Sequence, residues 1–206
     1  MSRNSTQYVC LNALAAAVLL CSVAAARGKV PDAEPDVIVY LQTDAGHVHV
    51  MRAKEIATAM FADIGVRLAW AEEGRGHGAA TSVVLHIHIA DRAQPGRREA
   101  AMAYAYPFAN GAKAITIMWD RLQPARRQLP GLAPALLAHV MVHEITHVLQ
   151  GVDNHSATGV MKASWTLDDF KRMYGKPLPF TATDARLVQS GLTRLRGLAR
   201  ADRDSH

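Results

Sequence analysis

The stretch that decides the fold is His143-Glu144-Ile145-Thr146-His147, followed by His155 and then by Gly159-Val160-Met161. The apolar run just before it, from Pro134 to Val142, is typical of a helix. Two histidines four residues apart lie on one face of a helix, roughly 6 Å apart along its axis. Their imidazoles can therefore converge on a metal ion, with Glu144 beside it in a position to take a proton from water. The sequence predicts one zinc ion held by His143 and His147.

The segments around this motif alternate between strand-like and helix-like patterns. Short β-branched runs indicate strands, and apolar residues at helical spacing indicate helices. Together they predict an α+β fold with a mixed, twisted sheet, a long helix that carries the motif, and a C-terminal helical subdomain. The predicted strands cover Val37–Leu41, Val66–Ala71, Val83–Ala90, Ala101–Tyr106 and Ala114–Trp119, and the predicted helices cover Val50–Ile64, Leu132–Gln150, Thr166–Tyr174 and Thr181–Leu195.

The first 26 residues differ in composition from the rest. Arg3 is followed by an uncharged, alanine-rich apolar run, and small residues at Ala24 and Ala26 precede Arg27. This layout is typical of a secretory signal peptide cleaved after Ala26, which predicts a secreted or periplasmic protein without stable membrane association after cleavage. An uncleaved membrane anchor is the alternative. A polar lead-in (27–36), a catalytic domain (37–196) and a basic polar tail (197–206) are expected to follow.

Cysteine and charge exclude several kinds of site. Both cysteines, Cys10 and Cys21, fall inside the leader, so the mature chain is expected to lack disulfides and thiolate ligands. Cleavage would leave 22 basic against 18 acidic residues, because only Arg3 is lost. This excess of basic residues is small, and no aromatic residues are interleaved with them. The pattern therefore favours a solvated surface over a nucleic-acid site.

The motif and its surroundings resemble the metzincin clan of zinc metallopeptidases. That signature runs H-E-x-x-H-x-x-G-x-x-H or D, with a methionine turn beneath the metal. Residues 143 to 161 carry the resemblance, and Met161 matches the methionine of the turn. The chain has no glutamate after Glu144, which excludes the zincins whose third ligand is a later glutamate. The resemblance implies a secreted zinc endopeptidase in which Glu144 is the general base and the substrate is a peptide or protein.

The third ligand is left open by an irregular spacing. The glycine is one residue late, at Gly151, and the third histidine is two residues late, at His155. The regular third position holds Asp153, which is an oxygen donor. We expect His155 to be the ligand for two reasons. If the glycine lies later than in the signature, the ligand that follows it should lie later as well, and imidazole is a common zinc donor. Asp153 remains the alternative.

Other features of the sequence give weaker evidence about function. His139 extends the helical row and is expected to be buried rather than to bind zinc. His86 and His88 alternate along a strand, as do His47 and His49, and polar strand faces explain both pairs better than a second metal site. If Ala103–Tyr106 is an edge strand, it could pair with an extended substrate. The alternatives to a protease are a non-catalytic zinc-binding interaction domain and a zinc hydrolase acting on cell-wall or other non-protein substrates; a protein inhibitor is a further candidate partner.

Overall fold

The computed structural model describes residues 34–44, 48–72, 81–92, 102–106 and 113–204. The expected signal peptide over residues 1–26 and most of the lead-in lie outside the described residues, as do His47 and the last residues of the expected tail. Among the described helices, none has the length and apolar character that crossing a membrane would need.

One mixed five-stranded sheet forms the base of the domain. Its order is β2-β1-β3-β5-β4, with β4 antiparallel to β5 and every other neighbour parallel. The mixed sheet was predicted, and β4 is indeed an edge strand. The strands are β1 (Val37–Thr43), β2 (Leu68–Ala71), β3 (Val83–Ala90), β4 (Ala103–Tyr106) and β5 (Ala114–Met118).

The helices follow the predicted order, with one addition. A segment expected to be a proline-rich loop contains a 3-10 turn (Trp119–Leu122) and then a short helix, with Pro124 in its first turn, where the missing N–H of proline does no harm. The helices are α1 (Val50–Ala62), α2 (Gln123–Gln128), α3 (Ala133–Gln150), α4 (Leu167–Gly175) and α5 (Ala182–Asp204). His49 is the N-cap of α1, which corrects the expectation that it alternates with His47 along a strand.

The core lies between one face of the sheet and the helices α1 and α3. Along β3 the residues Leu85, Ile87 and Ile89 are buried, whereas Val84 and His86 face outward. Helix α1 packs along α3, and α3 also contacts β4 and β5. Because the centre of α3 is buried, the side chains that it projects are held on a rigid support.

The C-terminal helix is longer than the predicted Thr181–Leu195 and extends into the expected basic polar tail. Helix α5 continues past Leu195 to Asp204, so the backbone of residues 197–204 is helical. Its sequence there includes two alanines, two arginines and one leucine, which are good helix formers. Arg196 also forms an ion pair with Asp36 just before β1 and holds this part of α5 in place. At Gly191 the helix crosses the end of α3 so closely that a Cβ would lie 1.8 Å from the carbonyl oxygen of Leu149.

Candidate metal centre

The two histidines of the motif project from the last turns of α3, and backbone carbonyls orient both rings. His143 Nδ1 lies 2.9 Å from the carbonyl oxygen of Val160, and His147 Nδ1 lies 3.2 Å from that of Val152. A carbonyl oxygen can only accept a hydrogen bond, so each Nδ1 carries the proton. In the neutral rings each Nε2 is then an unprotonated nitrogen with a free lone pair.

These two lone pairs face each other. The Nε2 atoms of His143 and His147 are 3.0 Å apart, and the ring planes are nearly perpendicular. Two bare nitrogens at this distance repel unless a proton or a cation lies between them. Burial is the main cause that lowers the pKa of both rings, that of His143 to about 4. A proton is therefore a poor partner at neutral pH, and the arrangement favours a metal cation.

His155 completes a cluster of three imidazoles. Its ring centroid is 5.2 Å from that of His143 and 4.9 Å from that of His147. One ring nitrogen from each histidine lies within 4.8 Å of the others. His155 is the exposed member of the cluster, so the side facing it is open to solvent.

Gly151 ends α3 and lets the chain turn toward His155. It ends α3 with a φ of 70°, in the left-handed region, and its N–H bonds to the carbonyl oxygen of His147. A side chain there would be strained, and a Cβ would lie 2.3 Å from a guanidinium nitrogen of Arg194. Gly151 therefore allows α3 to end here and the chain to turn toward His155.

The cluster fits zinc. Zinc bonds imidazole nitrogen at about 2.0–2.1 Å, and tetrahedral angles then separate two ligand nitrogens by about 3.4 Å. The observed 3.0 Å between His143 and His147 needs only a small adjustment to reach this value. Three nitrogen donors with one open side are the donor set of a catalytic zinc site, whereas a structural site is closed by a fourth ligand.

Asp153, the alternative third ligand, does not belong to the three-residue cluster that the structure brings together. It is exposed, and its negative charge acts on its neighbours. It raises the pKa of Glu144 and opposes the lowering of the pKa of His143 and His147. Within the described residues Asp153 therefore acts on the centre through its charge.

Glu144 follows His143 on α3 and is partly buried. Burial, together with the charge of Asp153, raises the pKa of this carboxyl to about 7. A carboxyl with this pKa can both accept and release a proton near neutral pH, which is what a general acid–base group requires. The role of Glu144 as the general base stays a prediction.

Trp165 contacts His143 from the side and connects it to His139. The ring of Trp165 meets the imidazole edge-on, with centroids 5.6 Å apart, and contacts His139 in the same way at 6.2 Å. His139 is fully buried, and both of its nitrogens are used. Nδ1 lies 2.6 Å from the carbonyl oxygen of Ala135, and Nε2 accepts a hydrogen bond from the N–H of Leu178. His139 is therefore buried, as expected, and ties α3 to the chain after α4.

Met161 is fully buried and follows Val160, whose carbonyl orients His143. Its own carbonyl oxygen accepts a hydrogen bond from the N–H of Ser156. This places Met161 in the turn that closes the loop after His155. Its role as the methionine beneath the metal stays a prediction.

Sequence reasoning missed the groups that orient the ligands. The carbonyls of Val152 and Val160 are backbone atoms, and no side-chain pattern points to them. Ser156 was missed as well. Its partner Asp184 lies three residues after Thr181, and the two form the hydrogen bonds of an N-cap at the start of α5. The second carboxylate oxygen of Asp184 accepts a hydrogen bond from Ser156.

Comparison with solved structures identifies relatives of this fold. The chain is similar to a zinc-dependent peptidase from Methanocorpusculum labreanum, with a TM-score of 0.53 and 13% identity over 73% of this chain and 99% of that one. It also matches an archaemetzincin from Methanopyrus kandleri, with a TM-score of 0.49 and 16% identity over 80% of this chain and 99% of that one. No family model and no curated protein sequence matches the chain. The M. labreanum match shows that this chain shares the fold of that protein.

Proposed function

We propose that this protein is an exported zinc-dependent endopeptidase. In this proposal His143, His147 and His155 bind one zinc ion, Glu144 is the general base, and the substrate is a peptide or protein. The fold is shared with a zinc-dependent peptidase, and the residues at the centre are those that such chemistry requires. Export is inferred from the sequence of residues 1–26 alone.

The observation that carries the proposal is the pair of facing Nε2 atoms 3.0 Å apart, with a third imidazole beside them. The Nδ1 atoms of His143 and His147 both hydrogen-bond to backbone carbonyls. These bonds fix the rings so that the Nε2 lone pairs point toward each other. A cluster of three imidazoles with one open side, next in sequence to a glutamate whose pKa is raised, has little purpose in a purely structural site. These features favour hydrolysis over a zinc-stabilised interaction domain.

In this mechanism Glu144 moves the proton. Its carboxylate accepts a proton from the attacking water and then delivers it to the amine that leaves when the peptide bond breaks. Zinc, when bound, would make water more acidic and polarise the carbonyl of the bond to be cut. The pKa of about 7 for Glu144 suits both transfers, because neither the charged nor the neutral form is strongly favoured at neutral pH. The carbonyls of Val152 and Val160 keep the two motif rings in place throughout.

The test compares purified wild type with Glu144→Gln for zinc content and for cleavage of casein and a peptide library. We expect the variant to retain zinc and to lose activity by about a hundredfold to ten-thousandfold, the usual contribution of a general base. The matched control is Glu55→Gln, since Glu55 is an exposed glutamate paired with Arg52 on α1. Zinc retained with no cleavage of any peptide by the wild type would overturn the protease proposal, and activity on cell-wall peptides alone would redirect it to that substrate.

Export is tested separately. Expression of the full chain in a bacterial host, followed by N-terminal sequencing of the exported protein, should give Arg27 as the first residue. A protein that keeps residues 1–26 and fractionates with membranes would instead support the anchor alternative. Neither result depends on whether the protein cleaves peptides.

A further inference from the structure

Four consecutive exposed residues, 152–155, form a rim beside the histidine cluster. At the first residue of this rim, the carbonyl oxygen of Val152 lies 3.2 Å from Nδ1 of His147. At its last residue, the ring centroid of His155 lies 4.9 Å from that of His147. The backbone of Asp153 is therefore held between two contacts with the same imidazole, on the side of the centre that faces solvent.

The carboxylate of Asp153 lies close enough for its charge to act on the centre. Burial is the main cause that raises the pKa of Glu144, and the charge of Asp153 raises it further. The same charge opposes the lowering of the pKa of His143 and His147 that burial causes. A charge that reaches these groups from an exposed position also attracts or repels a charged side chain of a peptide bound there.

The negative charge of Asp153 is not neutralised by its neighbours. In the part of the chain that the structure describes, its carboxylate forms neither an ion pair nor a hydrogen bond. The next lysine or arginine along the chain, Lys162, is paired with Asp169. Arg194, from α5, donates from Nη2 to the carbonyl oxygen of Gln150 at 3.2 Å. A cationic group of a substrate would therefore find an unpaired carboxylate at this rim.

Val152 adds an apolar surface to the same rim, since 41% of this residue is exposed. Lysine and arginine combine an aliphatic stem with a cationic head. Such a side chain can place its stem against Val152 and its head at Asp153. A glutamate would be repelled by Asp153, and a purely apolar side chain would gain only from Val152.

We propose that Asp153 is a specificity-determining residue and that the enzyme prefers peptides with lysine or arginine next to the scissile bond. This inference rests on the proposed peptidase function and names a substrate class for it. The preference is modest, because ion pairs that are exposed to solvent are weak. Lysine should be favoured over an uncharged residue by about two- to fivefold, and repulsion should disfavour glutamate by a similar factor.

The test uses the zinc-loaded protein and an uncharged peptide that it cleaves, blocked by acetyl and amide groups at its ends. The residues that flank the scissile bond are replaced in turn by lysine, glutamine and glutamate, and kcat/KM is measured at one pH. At low salt we expect the wild type to prefer lysine over glutamate by about fivefold or more at one flanking position, and less so at high ionic strength. The ratio should fall towards one in Asp153→Asn and reverse in Asp153→Lys.

The ratio separates this effect from the influence of Asp153 on Glu144, because a changed pKa of Glu144 alters the rate for both peptides alike. The matched control is Asp168→Asn, which removes the same charge from an exposed aspartate of α4 that is paired with Lys171. This control should keep the wild-type ratio. Zinc content is measured for each variant.

Equal kcat/KM for the lysine and glutamate peptides at every flanking position would overturn the inference and leave the peptidase function standing. An unchanged ratio in zinc-loaded Asp153→Asn would overturn it too, as would loss of zinc from this variant, since Asp153 would then be a ligand. If no peptide is cleaved, the peptidase function fails, and binding decides the inference. Fluorescence anisotropy would then compare labelled, blocked alanine peptides with a central lysine or glutamate. Tighter binding of the lysine peptide that Asp153→Asn abolishes would support the role of Asp153, and equal affinities would overturn it.

Discussion

Ser156 donates a hydrogen bond of 2.7 Å from its Oγ to Oδ1 of Asp184. Because Asp184 also caps the first turn of α5, this bond ties the loop that presents His155 to the start of a long helix. Asp184 is buried, so the tie is shielded from water. The exposed third imidazole of the cluster is thereby positioned by a buried contact one residue away.

Ser156→Ala should weaken zinc binding without unfolding the protein. The change removes the tie to Asp184 and leaves the α5 cap intact, so we expect a loss of about 1 kcal/mol in stability. Zinc affinity should fall by about tenfold, the low end of the effect of removing groups that support metal ligands. A chelator-competition titration measures this. Ser190→Ala, at an exposed serine of α5, is the control; it should leave zinc affinity unchanged and raise stability slightly, by about 0.5 kcal/mol, because alanine favours the helix.

Two variants distinguish His155 from Asp153 as the third zinc ligand. We expect His155→Ala to lose most of its bound zinc and Asp153→Asn to keep it, because only His155 belongs to the three-imidazole cluster. Metal analysis of both purified variants checks this. Loss of zinc in the aspartate variant alone would show that the third ligand is Asp153.

Asp153→Asn should also change the pH dependence of catalysis. The charge of Asp153 helps to raise the pKa of Glu144, so removing it should lower that pKa. The acidic limb of the kcat/KM profile should then move to lower pH, because Glu144 is ionised over a wider range. Asp153 is exposed, so the shift should be smaller at high ionic strength. A limb that moves to higher pH, or does not move at low salt, would contradict this electrostatic role.

His139 should make the protein less stable in mild acid. Burial lowers the pKa of His139 from 6.5 to about 4, so the unfolded chain binds a proton that the folded one does not between these values. The free energy of unfolding should therefore fall as pH drops from about 6.5 to about 4, by an amount on the order of 3 kcal/mol for this group. Urea unfolding of the wild type and His139→Gln across this range measures the effect. A difference between the two that stays constant with pH would contradict it.

Gly151→Ala should destabilise the end of α3. Its left-handed φ and the contact with Arg194 both oppose a side chain, and we expect a loss of about 1–2 kcal/mol and weaker zinc binding. Gly197 in α5 offers a matched control, since it has no atom within 4 Å of a Cβ and lies inside a helix. Gly197→Ala should stabilise the protein by about 0.5–1 kcal/mol. Thermal unfolding of both variants should therefore give shifts of opposite sign.

The parts of the fold that follow from local patterns were predictable. β3 has the predicted ends, Val83 and Ala90, because its buried and exposed residues alternate without interruption. Helix α3 begins one residue later than predicted and ends at Gln150 as predicted, because Gly151 is an unambiguous stop signal. The capping residues Thr166 and Thr181 were likewise recognisable from side chains that act within three residues.

The rest depends on contacts between distant segments. The continuation of α5 beyond Leu195 is held by Arg196 and Asp36, which are 160 residues apart in sequence. The orientation of His143 depends on a carbonyl 17 residues away, and the position of His139 depends on an N–H 39 residues away. Periodicity and spacing contain no information about such pairs.

X-ray absorption at the zinc edge of the purified wild-type protein tests the central claim most directly. The account predicts one zinc per chain with three imidazole nitrogens at about 2.0–2.1 Å and one oxygen from water. Absence of zinc, or a spectrum with only two imidazoles and a protein carboxylate in place of the third, would contradict the proposed centre of His143, His147 and His155.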